Sequence, residues 1–136
     1  MLQIIIPLLA WYFTIILGDF IWLWYVVKNF TIREFHDLII VENNSIRLNV
    51  LVGLLAWSVI VLLIYIFVTR SGYASSYVSA LLYGALFWFL SYAMYDLTNL
   101  TFLKNYSLSF TLVDILWWTF LCAMVSLVMY STSKLV

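Results

Sequence analysis

The sequence predicts an all-α integral membrane protein: a bundle of four transmembrane helices, with a short interfacial helix between the first and the second. Three observations predict it. The chain is 67% hydrophobic and 9% charged, whereas soluble domains carry about 25% charged residues. Its mean hydropathy is +1.12. Its apolar residues fall into four runs, each supplying the roughly 20 residues that a helix needs to cross a hydrocarbon core. A soluble domain of this size would bury only about two-thirds of the surface its unfolded chain exposes. Lipid is the solvent that accommodates the remainder, and 136 residues suit one transmembrane domain covering 1–136.

The first run extends over about residues 2–27 and stops at Lys28 and Asn29. It has no basic leader and exceeds the core of a signal peptide, so it reads as a retained helix. Pro7 stands near its start, where a missing backbone donor costs least. The second run covers about 48–68, between Arg47 and the turn Thr69-Arg70-Ser71-Gly72. The third covers about 75–103 and is closed by Lys104 and Asn105; the fourth covers about 109–130, ahead of Ser131-Thr132-Ser133-Lys134. No segment is of low complexity and no internal repeat is evident.

Only the first loop, about 28–47, is long. Within it Thr31-Ile32-Arg33-Glu34 matches a capping box, and Ile32, Phe35, Leu38 and Ile39 recur at helical spacing. This is the expected interfacial helix. His36, the single histidine, reads as a residue of its polar face. Lys28, Arg33, Arg47 and Lys104 flank the first and third loops, whereas Arg70 and Lys134 lie at the other side. The positive-inside rule therefore favours cytoplasmic first and third loops, with both termini non-cytoplasmic. Asn29, Asn43 and Asn105, each opening an N-x-S/T sequon on that same side, cut the other way.

Six basic and six acidic residues cancel, and no basic run or patch exists, so nucleic acid is not an expected partner. The expected partners are the lipid bilayer and, within it, further copies of the chain or other membrane proteins. Cys122 lies in an apolar run and reads as a small buried residue. Gly84, and Gly53 with Ala56, read as positions of close helix packing. The residues imply no cofactor.

Three acids interrupt the apolar runs: Asp19, Asp96 and Asp114. Asp19 precedes Lys28 by nine residues, Asp96 precedes Lys104 by eight, and Asp114 follows Ser107 by seven. At about 1.5 Å per helical residue, each lies roughly 10–13 Å from the same interface. The first, third and fourth helices thus deliver their carboxylates to one layer. An ionised Asp in mid-membrane costs about 2.5–3.5 kcal/mol, so each must be paired, protonated or bound to a cation. Tyr92, Asp96 and Asn99 share one stripe of the third helix, and Tyr95, Thr98 and Thr101 add hydroxyls beside it. Thr111, Asp114 and Trp118 form a stripe on the fourth, next to Trp117; Asp19 neighbours Trp22 and Leu23, with Tyr12 two turns earlier. The same residues also suit plain interhelical glue, worth about 0.6 kcal/mol per hydrogen bond on average.

In this region the sequence takes on a likeness. Tyr83-Gly84-Ala85-Leu86-Phe87, Tyr92-Ala93-Met94-Tyr95-Asp96-Leu97-Thr98-Asn99-Leu100 and Val113-Asp114-Ile115-Leu116-Trp117-Trp118-Thr119-Phe120-Leu121 resemble the domain-of-unknown-function family 2177. Its pattern Y-D-L-T-N-L followed by V-D-x-x-W-G-T-F is matched almost throughout, and its D-x-x-W-L pattern by Asp19, Trp22 and Leu23. Trp118 stands where that family usually has glycine, which predicts tighter packing around Asp114. The resemblance covers nearly the whole chain. It implies a small membrane protein with four hydrophobic segments, and it brings no activity with it.

Three functions fit these residues. Foremost is proton or cation binding or transport through the acidic layer, with Asp19, Asp96, Asp114, Asn99, Tyr92 and Tyr95 as the candidate residues. An intramembrane enzyme acting on a lipid would use paired carboxylates as acid and base or around a hard metal such as Mg²⁺ or Ca²⁺. A structural or assembly protein would use them to specify helix pairing. Whether the chain is an enzyme, and which ion or metal it holds, the residues leave open.

Overall fold

The structure, a computed structural model, describes residues 2–35, 38–43 and 45–134. Four of its helices are long and apolar enough to cross a membrane, over Leu8–Val26, Val50–Val68, Tyr77–Phe102 and Leu108–Ser133. Helix α1 runs Leu2–Ile21 and continues as a wider π-helical turn, Trp22–Val26. The short α2 follows at Lys28–Glu34. Two-residue strands β1 (Val41–Glu42) and β2 (Ser45–Ile46) then pair antiparallel, with Val41 opposite Ile46. Helix α3, Val50–Ile64, also ends in a π-helical turn, Tyr65–Arg70. The two longest helices are α4, Tyr77–Phe102, and α5, Leu108–Ser133.

Side-chain caps set three of the helix starts, because the first turn of a helix has backbone donors without internal partners. Asn49 Oδ1 accepts from the Val52 N–H at 3.2 Å, and Ser107 Oγ from that of Phe110 at 3.1 Å. Ser76 and Ser79 cap each other reciprocally at the start of α4, with N···O distances of 3.1 and 2.8 Å. Inside the spans, Thr14, Ser91, Thr98, Thr119 and Ser126 each donate to the carbonyl four residues back, so their hydroxyls need no partner from lipid.

The first loop departs from expectation. A short helix does follow the first span, but it begins at Lys28, and Thr31 is no cap. Thr31 sits inside α2, its N–H bonded to the Val27 carbonyl at 2.8 Å. A capping box requires a non-helical backbone at its first residue. Here Val27 makes the break (φ −108°, ψ 3°) while staying buried, so the helix resumes one residue later. It ends at Phe35, which places Leu38 and Ile39 beyond its apolar face. His36 and Asp37 lie outside the described residues.

Helix α5 is the axis of the bundle, packed between α4 and α1, with α3 closing against α1 and reaching α4 and α5 through its π-helical end. Leu121, Cys122, Val125 and Met129 of α5 meet Trp11 and Ile15 of α1, Ile60, Val61 and Ile64 of α3, and Val68 of the π-helical turn that follows it. Glycine decides how closely α4 can approach. A Cβ on Gly84 would overlap Ser126, 2.6 Å from its Cβ, and lie 3.2 Å from the Cys122 carbonyl. A Cβ on Gly18 would meet only the end of the Leu121 side chain, 2.5 Å from Cδ1. Gly53 does not make the close helix approach expected of it: a Cβ there would meet only the Trp57 ring of its own helix, at 3.9 Å. Leu9, Phe13, Leu55, Leu82, Leu116 and Phe120 remain exposed around the outside, as a lipid-facing surface demands.

The chain's loops pair off at the two ends. At one end the first and third loops touch: the Ser107 hydroxyl donates to Glu34, Phe35 packs edge-on against Phe110 with centroids 4.4 Å apart, and Tyr106 lies 5.5 Å from Phe35. At the other, the Tyr130 hydroxyl donates to the Ser75 carbonyl at 2.7 Å and the Trp11 indole to Thr132 Oγ1 at 2.7 Å.

Candidate functional site

The three intramembrane acids all lie inside the bundle, yet their surroundings divide them. Asp19 is 6% exposed, and both its oxygens are occupied. Trp57 Nε1 of α3 donates to Oδ2 at 3.0 Å and Trp117 Nε1 of α5 to Oδ1 at 3.3 Å. The π-helical turn that follows Asp19 lays Trp22 flat on Trp117, centroids 4.2 Å apart and planes 1° from parallel. One carboxylate thereby ties three helices together through neutral donors.

Asp96 is differently placed. It is fully buried on α4. Tyr106, in the turn between α4 and α5, folds back so that its hydroxyl donates to Asp96 Oδ1 at 2.6 Å. Burial and the Asp96 carboxylate both push the Tyr106 phenol above its ordinary range, so it stays a proton donor to Asp96 at any physiological pH. The second oxygen, Oδ2, is buried and has no partner among the described residues. Asn99 lies beside Tyr106.

Asp114, seven residues into α5, neighbours Asp96 and Trp118 and remains within electrostatic reach of Asp19. Asp114 also lines a cleft of about 610 Å³ between α4 and α5. Trp88, Ser91, Tyr92 and Tyr95 contribute the α4 wall at helical spacing, and Phe110, Asp114 and Trp118 the α5 wall. Thr31, Phe35, Ile39 and Tyr106 form the mouth, at the end where the first and third loops meet. Trp118 stacks on Tyr92 with centroids 4.8 Å apart and planes at 11°, filling space beside Asp114 that a glycine would leave open. Two further polar atoms in the walls lack partners among the described residues: Trp88 Nε1 and Thr31 Oγ1.

At the mouth, Glu34 accepts from the Ser107 hydroxyl and from Arg33 Nε at 3.1 Å. These contacts hold the Glu34 carboxyl below its usual range, the Ser107 bond contributing most. Other cavities, of about 540 and 400 Å³, open beside Trp24 and Trp57 and beside Tyr12 and Ser58; neither has a carboxylate in its wall. Among the described residues no three His, Cys, Asp or Glu side chains converge as a metal site would require.

Of the residues singled out from the sequence, Tyr92, Tyr95 and Asp114 line the cleft, and Asp96 and Asn99 stand beside it. Asp19 faces away, toward Trp57 and Trp117. Sequence reasoning missed Tyr106, Trp88, Thr31 and Trp57. Tyr106 carried a usable signal: it is ten residues past Asp96 across a short helix–helix turn, a geometry that returns the chain to the same helix end. Trp57 carried none, because nothing local links it to Asp19.

The family model described as "Predicted membrane protein (DUF2177)" matches residues 4–131. No curated protein and no solved structure matches the chain.

Proposed function

The chain belongs to the family of predicted membrane proteins DUF2177, and from that premise we propose that it binds a cation, in the simplest case a proton, at the Asp96–Asp114 pair inside the bilayer. One observation carries this reading. Asp96 is fully buried, has one oxygen held by Tyr106 and the other without a partner among the described residues, and stands next to a second carboxylate that lines a cleft. A pair of carboxylates at low dielectric cannot comfortably hold two negative charges. It must carry a proton or recruit a cation, and the cleft provides the route by which that charge can be exchanged at the end bearing the first and third loops.

The structural reading is favoured at one of the three acids. Asp19 has both oxygens satisfied by indoles from two other helices, which suits interhelical glue and leaves no capacity for exchange. The acidic layer thus divides in this proposal into a fixed member and an exchanging pair.

Infrared difference spectroscopy on the full chain in liposomes tests it. A carboxyl carbonyl signal should change with external pH or cation concentration, and should vanish in Asp114→Asn or Asp96→Asn at equal folded yield. Tyr106→Phe should keep the signal and move it to higher frequency, since the carbonyl loses a hydrogen bond. A signal insensitive to pH and cations, or unchanged in both Asn variants, rules the proposal out.

A further inference from the structure

Resting on that cation-binding reading, we infer that the cleft between α4 and α5 takes a lipophilic amine, its ammonium held by Asp114 among aromatic rings and its apolar body lying along α4. Size speaks first. At about 610 Å³ the cleft is far larger than a proton or hydrated ion needs and falls in the range of small organic ligands. Its walls supply the second argument. Tyr92, Tyr95, Tyr106 and Trp118 line the cleft together with one carboxylate, Asp114, and aromatic rings beside a carboxylate are the combination that recognises organic ammonium groups.

Charge narrows the class. No Lys or Arg is found among the described residues that line the cleft. A phospholipid phosphate or a fatty-acid carboxylate would therefore sit unneutralised beside Asp114, whereas an amine without a second, anionic group is complementary.

The unpartnered atoms add an independent constraint. Trp88 is 4% exposed and lies near the middle of α4, where its orphaned indole N–H has no water to turn to. An indole can only donate, so that position calls for an oxygen on the ligand. Trp88 lies eight residues, roughly 12 Å, from the level of Asp96. Thr31 Oγ1, buried at the mouth and equally without a partner, can accept from an ammonium N–H. The inferred occupant is an amine at the mouth-proximal carboxylates with an ether or hydroxyl oxygen further along its apolar body. Binding transfers no covalent bond: a neutral amine takes the proton of a carboxylic acid in the pair, or an ammonium replaces a cation already there.

The test uses the purified full chain in maltoside micelles, which carry no charge. Equilibrium dialysis against empty micelles would compare 6-phenoxyhexylamine with its alcohol and carboxylic-acid counterparts and with 7-phenylheptylamine, which lacks the ether oxygen. The inference predicts saturable binding of both amines, with the alcohol and acid at least ten-fold weaker. Asp114→Asn should weaken the amines at least ten-fold. Trp88→Phe, which keeps an aromatic ring and removes the N–H, should weaken the phenoxy compound several-fold and leave 7-phenylheptylamine unchanged. Alcohol binding as strong as amine binding, or displacement of the amine by a short-chain ethanolamine phospholipid at equal concentration, overturns the inference. So does a Trp88→Phe variant that folds and treats the two amines alike. If no amine binds while the infrared carboxyl signal still responds to protons or small cations, the cation reading stands and the amine falls. If neither responds, both fall.

Discussion

Asp19 and Asp96 show how the same residue type acquires opposite capacities from its partners. Each lies in an apolar run and each is removed from lipid, but two indoles saturate Asp19 while a single phenol leaves Asp96 half engaged. Replacing Asp19 by leucine would strand the Trp57 and Trp117 donors inside the bundle. Each stranded donor costs about 1–3 kcal/mol, so Asp19→Leu should lower the thermal midpoint in detergent clearly, and Asp19→Asn much less, because the amide oxygen still accepts one of the two. Neither change should touch the carboxyl signal assigned to Asp96 and Asp114. A loss of that signal in folded Asp19→Asn protein would show that the three acids act as one unit.

Among the elements, the α4–α5 hairpin is the most demanding. Gly84 passes so near Ser126 that a methyl group must displace one helix or the other. Overpacking of this kind costs about 1–3 kcal/mol. Gly84→Ala should therefore destabilise the protein, and Ser126→Gly introduced with it should restore much of the loss, a coupling read from a double-mutant cycle of thermal midpoints. Gly53→Ala, facing only Trp57, should be close to neutral or mildly stabilising. The short α2 makes a second prediction at this scale. Glu34 is held below its usual range by Ser107 and Arg33, so the stability it contributes is present above its unfolded value, near 4.5, and is lost as pH falls through its lower folded value. Hydrogen exchange in α2 should accelerate as pH drops below about 4.5 after correction for the intrinsic rate. In Glu34→Gln that acid-dependent step should be absent.

For the molecule as a whole, four spans return the chain to the side on which it began, and two side-chain contacts fix which loops share an end. Glu34 with Ser107 joins the first loop to the third, and Tyr130 with Ser75 joins the second loop to the end of α5. The positive-inside rule gives an expectation for the cytoplasmic end, because Lys28, Arg33, Arg47 and Lys104 lie at the first-and-third-loop end. In a Cys122→Ala background, a cysteine at Ser71 should react with a membrane-impermeant maleimide applied to intact cells, and one at Asn43 should react only after the membrane is opened. The reverse pattern would invert the orientation and place the cleft mouth outside.

The four candidate spans were legible in the sequence, because hydropathy is a property of a chain read along one dimension. The short helix after the first span was legible only in outline, since Thr31 offered a capping pattern that a bend at buried Val27 overrode. Gly84 and Gly53 looked alike, and only the rotation of their helices separated a close approach from an open face. Which donor reaches which carboxylate was decided by tertiary structure alone. Trp57 lies 38 residues from Asp19 and Trp117 lies 98, and no local pattern links them. The cleft itself belongs to this second class: its walls are two helix stripes visible in the sequence, but its volume, its mouth under α2 and the unpartnered atoms of Trp88 and Thr31 arise only when helix tilt and rotation settle into one packed arrangement.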